Sequence, residues 1–211
     1  MLSYLKPLAF LICLIPFGQM LYRAYTNDLG ANPIDTITRF TGSWSLFILL
    51  ASLAVTPLRR ITGWNELIRY RRMLGLFAFF YAALHFSIYM VLDLYFDFGA
   101  ITKDILKRPY ITVGFSALVL MIPLAVTSTS GMIRRLGKRW QQLHYLVYGI
   151  AILGVIHFYW LVKSDISRPA QYGLVLAVLL GFRLYHKWAA ALAPHRRAAA
   201  TLSASRKDQA A

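Results

Sequence analysis

Three histidines of this 211-residue chain stand inside apolar runs. His85 lies in FAFFYAALHFSIYM, and His144 and His157 are thirteen residues apart in QQLHYLVYGIAILGVIHFYW. An imidazole in hydrocarbon is costly without a partner, so each is a candidate functional group. The single cysteine, Cys13, excludes thiolate-held zinc or iron–sulfur centres. Histidine is left as the strong ligand for a metal or haem. Two facing imidazoles on neighbouring helices are what a bis-histidine b-type haem requires: both axial positions filled and the macrocycle walled by apolar side chains. Two other readings stand beside it. The histidines can be structural, bonding Ser87, Tyr148 or backbone carbonyls, or they can line a proton or ion path. For a path, the only carboxylate inside a span is Asp93, near one end.

Depth decides which histidines can meet. At 1.5 Å per residue, His85 lies roughly 18 Å from the point near Met73 where its helix enters the bilayer. His157 lies roughly 22 Å from the corresponding point near Gln142. These two match, whereas His144 sits near the opposite surface beside Arg71 and Arg72. On a straight helix, thirteen residues leave His144 and His157 about 140° apart. One well-defined haem is therefore expected on His85 and His157, with His144 as an alternative or additional ligand. Gly154 and Ala82, each three residues before a ligand, leave room for a flat ring. Tyr81 and Tyr89, four residues either side of His85, can pack on it or bond its propionates. His186 and His195 read as surface histidines.

The elements that must position these groups follow from composition. The chain is 58% hydrophobic and 15% charged, with mean hydropathy +0.54, which excludes a soluble domain of this size. Its net charge of +15 sits in short clusters between apolar runs, as positive-inside topology requires, so nucleic acid is not expected as a partner. Six segments can cross a bilayer, at about 8–25, 41–58, 74–94, 111–128, 143–162 and 171–186, the second and sixth being short. With no sustained β alternation, the fold class is all-α: a polytopic membrane bundle of six transmembrane helices, bent at Pro16 and Pro123. The apolar run after Lys6 reads as a retained first span rather than a signal peptide. Residues 1–190 form one domain without internal repeat, and 191–211 a basic, disordered cytoplasmic tail. With the N-terminus inside, the inner loops carry sixteen Lys and Arg against seven outside, so both termini are expected in the cytoplasm. Helix starts at Asn32-Pro33 and at Thr102 to Asp104 predict short interfacial helices in the outer loops.

The runs TSTSGMIRRLGKRWQQLHYLVYGIAILGVIH (127–157), YRRMLGLFAFFYAALHFSIY (70–89) and LGANPIDTITRFTG (29–42) closely resemble the MsrQ (formerly YedZ) family. Its members are the haem-binding membrane subunits of bacterial periplasmic methionine-sulfoxide reductases. The element Leu136, Gly137, Trp140, Leu143 and His144 is shared with the wider ferric-reductase-like transmembrane group. The resemblance implies an inner-membrane, multi-pass electron-transfer subunit rather than the catalytic subunit. Electrons would come from the quinone pool or a cytoplasmic flavin reductase. They would pass through FMN and haem b to a periplasmic molybdopterin-containing reductase that repairs oxidised methionines. The haem histidines map onto His85, His144 and His157. No GxGxxG follows a strand, so any nicotinamide step belongs to another protein. If FMN binds, the inner face offers Arg71, Arg72, Arg134, Arg135, Lys138 and Arg139 for its phosphate, with Trp140 or Trp64 to stack on its ring. Docking of the partner is expected on the outer loops, Asp97 to Pro109 and Lys163 to Pro169. The competing classes are a stand-alone ferric or oxygen reductase and a cofactor-free transporter or assembly factor.

Overall fold

The computed structural model describes residues 5–162 and 165–208, with side chains up to residue 192. Lys163 and Ser164, in the second of the two expected docking loops, lie outside the described residues. The chain is helical throughout its described length: α1 (Leu5–Tyr25), α2 (Pro33–Thr62), α3 (Ile68–Ile88), α4 (Phe98–Lys107), α5 (Pro109–Val126), α6 (Ser130–Leu136), α7 (Lys138–His144), α8 (Leu146–Leu161) and α9 (Ser167–Asp208). A 3-10 turn (Asn65–Leu67) leads into α3 and a π turn (Tyr89–Asp93) leaves it. Six stretches are long and apolar enough to cross a membrane: 5–25, 33–62, 65–93, 109–126, 138–161 and 167–192. The chain is thus a polytopic membrane protein.

The second and sixth spans are not short. α2 has 30 residues, about 45 Å of helix against roughly 30 Å of hydrocarbon. The expected interfacial helix at Asn32-Pro33 is simply its first turn. The Asn32 side chain accepts from the Asp35 amide at 3.2 Å, Pro33 occupies the first helical position, and the Asp35–Arg39 pair closes at 2.7 Å one turn on. Its far end is set by Gly63, whose φ of 72° lets its amide donate to the Arg59 carbonyl at 3.0 Å. The other short helix, α4, starts at Phe98 rather than near Thr102, because Asp97 caps it by accepting from the Ala100 amide at 2.9 Å. The backbone of α9 stays helical to Asp208, through the tail that charge and low complexity mark as disordered. Its run of alanines has high intrinsic helix propensity.

α2 is the best buried helix and touches α1, α3, α8 and α9. Two antiparallel pairs make the framework, α2 with α3 and α5 with α8, joined where α3 meets α5. Leu53, Ala78 and Ala151 are fully enclosed between them. The outward faces carry exposed Leu, Ile and Phe on α1, α5 and α9, as a lipid-facing surface must. α1 is fastened by Tyr81 of α3, whose hydroxyl donates to the Cys13 carbonyl at 2.8 Å and accepts from the Phe17 amide at 3.1 Å. Those two groups are one helical rung, so the tyrosine inserts into the α1 ladder beside Pro16. Tyr81 is therefore spent on packing and does not face a cofactor at the His85 ring.

Candidate functional site: a histidine pair and a basic cavity

His85, on the last turn of α3, and His157, just before the last turn of α8, come together near the end of the bundle that carries most of the acidic residues. Their ring centroids are 6.2 Å apart and their planes 76° from parallel. Each Nδ1–H donates to a backbone carbonyl of another helix: His85 to Thr38 on α2 at 2.8 Å, His157 to Tyr110 on α5 at 2.6 Å. A carbonyl only accepts, so the proton is fixed on Nδ1 and the lone pair on Nε2. The arrangement presents two neutral imidazoles with ligand nitrogens free of backbone bonds.

Tyr89 does not reach this pair. Its hydroxyl donates to Asp104 of α4 at 3.0 Å, Asp104 pairs with Arg108 at 3.3 Å, and Arg108 donates to the Tyr110 hydroxyl at 3.5 Å. The Tyr110 hydroxyl, and then the Asp104 carboxylate, hold the Arg108 guanidinium above its ordinary pKa. This chain of contacts seats α4 against the helix that supports His157. Gly154 makes room for Leu46 rather than a ring, its built Cβ lying 3.3 Å from that side chain.

His144 lies at the other end, on α7. It is stacked on Trp140 with centroids 3.9 Å apart, and its Nδ1–H donates to the Trp140 carbonyl at 3.0 Å. Trp140 is itself fixed by its Nε1–H to the Thr127 carbonyl at 2.9 Å. The helix breaks at Tyr145, whose amide donates to the Gln142 carbonyl and whose carbonyl accepts from the Tyr148 amide, both i to i+3 bonds. Each 3-10 residue adds about 20° of rotation, so the 140° expected of a straight helix does not apply here.

Beside His144 opens a cavity of about 770 Å³. Arg60, Arg71, Arg72, Arg183 and Lys187 line it together with His144 and His186, and among the described residues no carboxylate does. Among the described residues, three buried side-chain atoms lack a hydrogen-bond partner: Thr56 Oγ1, His144 Nε2 and Arg183 Nε. All three belong to residues of this cavity's wall. Orphaned buried polar atoms are rare, and their gathering at one excess of positive charge describes a site for an anionic ligand with polar groups.

Of the inner-face residues expected from the sequence, Arg71, Arg72 and Trp140 are here. Arg134 and Arg135 are exposed on α6 and absent from the wall, because the turn at Gly137, with φ of 50°, separates α6 from α7. Lys138, Arg139 and Trp64 do not line it either. His186, expected on the surface, is half-buried in the wall against Phe182, centroids 4.3 Å apart. In the sequence Arg183 is one of the sixteen inner cations that set the orientation. Its guanidinium reaches into the bundle, donating to the Tyr148 hydroxyl at 2.8 Å and the Leu53 carbonyl at 2.5 Å. An arginine inside an apolar run, with no acid nearby in sequence, was the available signal.

Residues 41–155 match the family model described as ferric reductase like transmembrane component. The chain is 54% identical over 190 residues, 89% of its length and 87% of the relative's, to a protein-methionine-sulfoxide reductase heme-binding subunit MsrQ of Herminiimonas arsenicoxydans. Proteins of the same description from Ralstonia nicotianae and Rhodospirillum rubrum are 52% and 55% identical, over 84% and 83% of this chain and 83% and 85% of theirs. No solved structure matches the chain.

Proposed function

The chain belongs to the MsrQ family of heme-binding subunits, within the ferric-reductase-like transmembrane group, and on that premise we propose that it is a membrane electron relay whose His85 and His157 hold one haem b. The single observation that carries this is the ring separation. Two imidazoles on one metal, with bonds of about 2 Å and about 1.1 Å from nitrogen to ring centre, have centroids about 6.3 Å apart. The observed distance is 6.2 Å. Among the described residues no cluster of three or more His, Cys, Asp or Glu could hold a bare ion. His85 and His157 would supply two nitrogens to a haem iron, and the macrocycle the rest.

When bound, such a six-coordinate haem carries single electrons and offers no open position to oxygen or substrate. The chain's own contribution is to fix both ligand nitrogens through the Thr38 and Tyr110 carbonyls and to keep water from the pair with apolar helices. By the positive-inside bias, the basic end faces the cytoplasm and the histidine pair the periplasm. Electrons then leave toward a periplasmic methionine-sulfoxide reductase subunit docked near α4. The donor side is the basic cavity. There Arg60, Arg71, Arg72 and Lys187 would hold the phosphate of an FMN, and His144 Nε2 would offer an acceptor to its polar groups. The donor to that flavin would be the quinone pool or a cytoplasmic flavin reductase. A second reading of the cavity, a further haem on His144, is favoured by the same unpartnered nitrogen.

The purified protein should show sharp α and β bands on reduction. His85→Ala and His157→Ala should each remove the haem of that pair in folded protein, abolishing the bands if it is the one haem bound and halving them if His144 holds another; bands of unchanged intensity in both variants overturn the assignment.

A further inference from the structure

We propose that Gly42 and Gly114 are positioning residues for the two axial imidazoles, and that the α2–α3 and α5–α8 pairs are two copies of one ligand-holding unit. The inference rests on the haem reading above and adds what holds the ligands.

In each unit the first helix gives a carbonyl to the histidine of the second, and one turn further on it carries a glycine. Thr38, Gly42 and His85 recur 72 positions later as Tyr110, Gly114 and His157. A carbonyl inside a helix already accepts from the amide four residues on, and it has a second lone pair to offer. An imidazole reaches that lone pair only by lying across the backbone at the position where residue i+4 would place its side chain. A Cβ built on Gly114 would stand 2.6 Å from His157 Nδ1, and one on Gly42 would stand 3.1 Å from His85 Nδ1 and Cε1. The first distance is closer than real Cβ atoms come. The second is a tight contact that a small shift of the ring would relieve. Nothing comparable surrounds Gly149, on the same helix as His157, whose built Cβ meets no atom within 4 Å.

The repeat also shows where the two units differ. Thirteen residues before His157 stands His144, and thirteen before His85 stands Arg72. The acidic end thus keeps both imidazoles, while the basic end pairs one imidazole with a cation.

The test uses full-length protein in detergent, with haem content, the reduced absorption spectrum and the ferric EPR spectrum measured on Gly114→Ala, Gly42→Ala and Gly149→Ala. Gly114→Ala should lower the haem held by His85 and His157 at least fivefold. Gly42→Ala should keep most of its haem but shift the low-spin EPR signal and the midpoint potential, because the His85 ring must turn. Gly149→Ala should match wild type. If Gly114→Ala fails to give a monodisperse protein, the milder Gly42→Ala decides. Gly42→Ala and a folded Gly114→Ala that both match wild type overturn the proposal. If His85→Ala and His157→Ala also leave the bands at full intensity, the haem assignment has failed first; if they remove the haem of that pair, only the glycine role has.

Discussion

The rings of His85 and His157 face each other at 6.2 Å with their planes 76° from parallel. Each orientation is set by a different helix, through the Thr38 and Tyr110 carbonyls, so neither ring turns to suit the other. Near-perpendicular axial imidazoles on ferric iron give a strongly anisotropic low-spin EPR signal, and this is the spectrum expected of the oxidised protein. A rhombic signal of the parallel-plane type would show that the rings rotate on binding.

His144→Ala separates the two readings of the basic cavity. With FMN there, the substitution should lower bound flavin several-fold and leave the haem-to-protein ratio and the α band unchanged. With a further haem there, the haem ratio should fall by about half with flavin unaffected. Arg183→Met, which leaves His144 in place, should weaken an anionic occupant of either kind. Released flavin and pyridine haemochromogen assays read both quantities on one sample.

Tyr81→Phe should cost about 1–3 kcal/mol of stability, since it removes a buried hydroxyl that bonds both the Cys13 carbonyl and the Phe17 amide of α1. The haem spectrum should not move, because the hydroxyl faces α1 and not His85. Thermal unfolding in detergent, followed alongside the absorption bands, checks both halves.

Tyr89→Phe should loosen α4, which Tyr89 holds through Asp104 at 3.0 Å. Loss of one such bond, worth about 0.5–1.5 kcal/mol, should speed amide exchange across 98–107 by roughly two- to tenfold. If α4 is the docking element, electron delivery to the catalytic subunit should slow while the isolated protein keeps its spectrum. Unchanged exchange in α4 would show that the Asp104–Arg108 pair alone suffices.

The sequence by itself determined the class and the number of spans, and it put His85 and His157 at matching depth. Those follow from one-dimensional quantities: apolar length against bilayer thickness, and rise per residue against depth. It also marked Arg71, Arg72 and Trp140 as neighbours of His144, because residues near the same membrane face share a depth. Facing was another matter. Depth cannot say which side of a helix a group is on once a 3-10 step at Tyr145 or a turn at Gly137 resets the rotation, so Arg134 and Arg135 share the inner face with Arg71 and Arg72 but not the cavity wall.

Only the tertiary structure decided what lies behind each ligand. The partners of His85 and His157 are backbone carbonyls, which every residue possesses, so no side-chain type announces Thr38 or Tyr110. The glycines that admit the rings act by lacking atoms. Their 72-residue recurrence spans too few positions to register as a repeat, and it gains meaning only when two helices 43 residues away bring imidazoles onto Gly42 and Gly114. Arg183 and Tyr81 make the same point from the other side: each pairs with a carbonyl far off in the chain, at Leu53 and Cys13, and polarity alone does not say which helix will supply it.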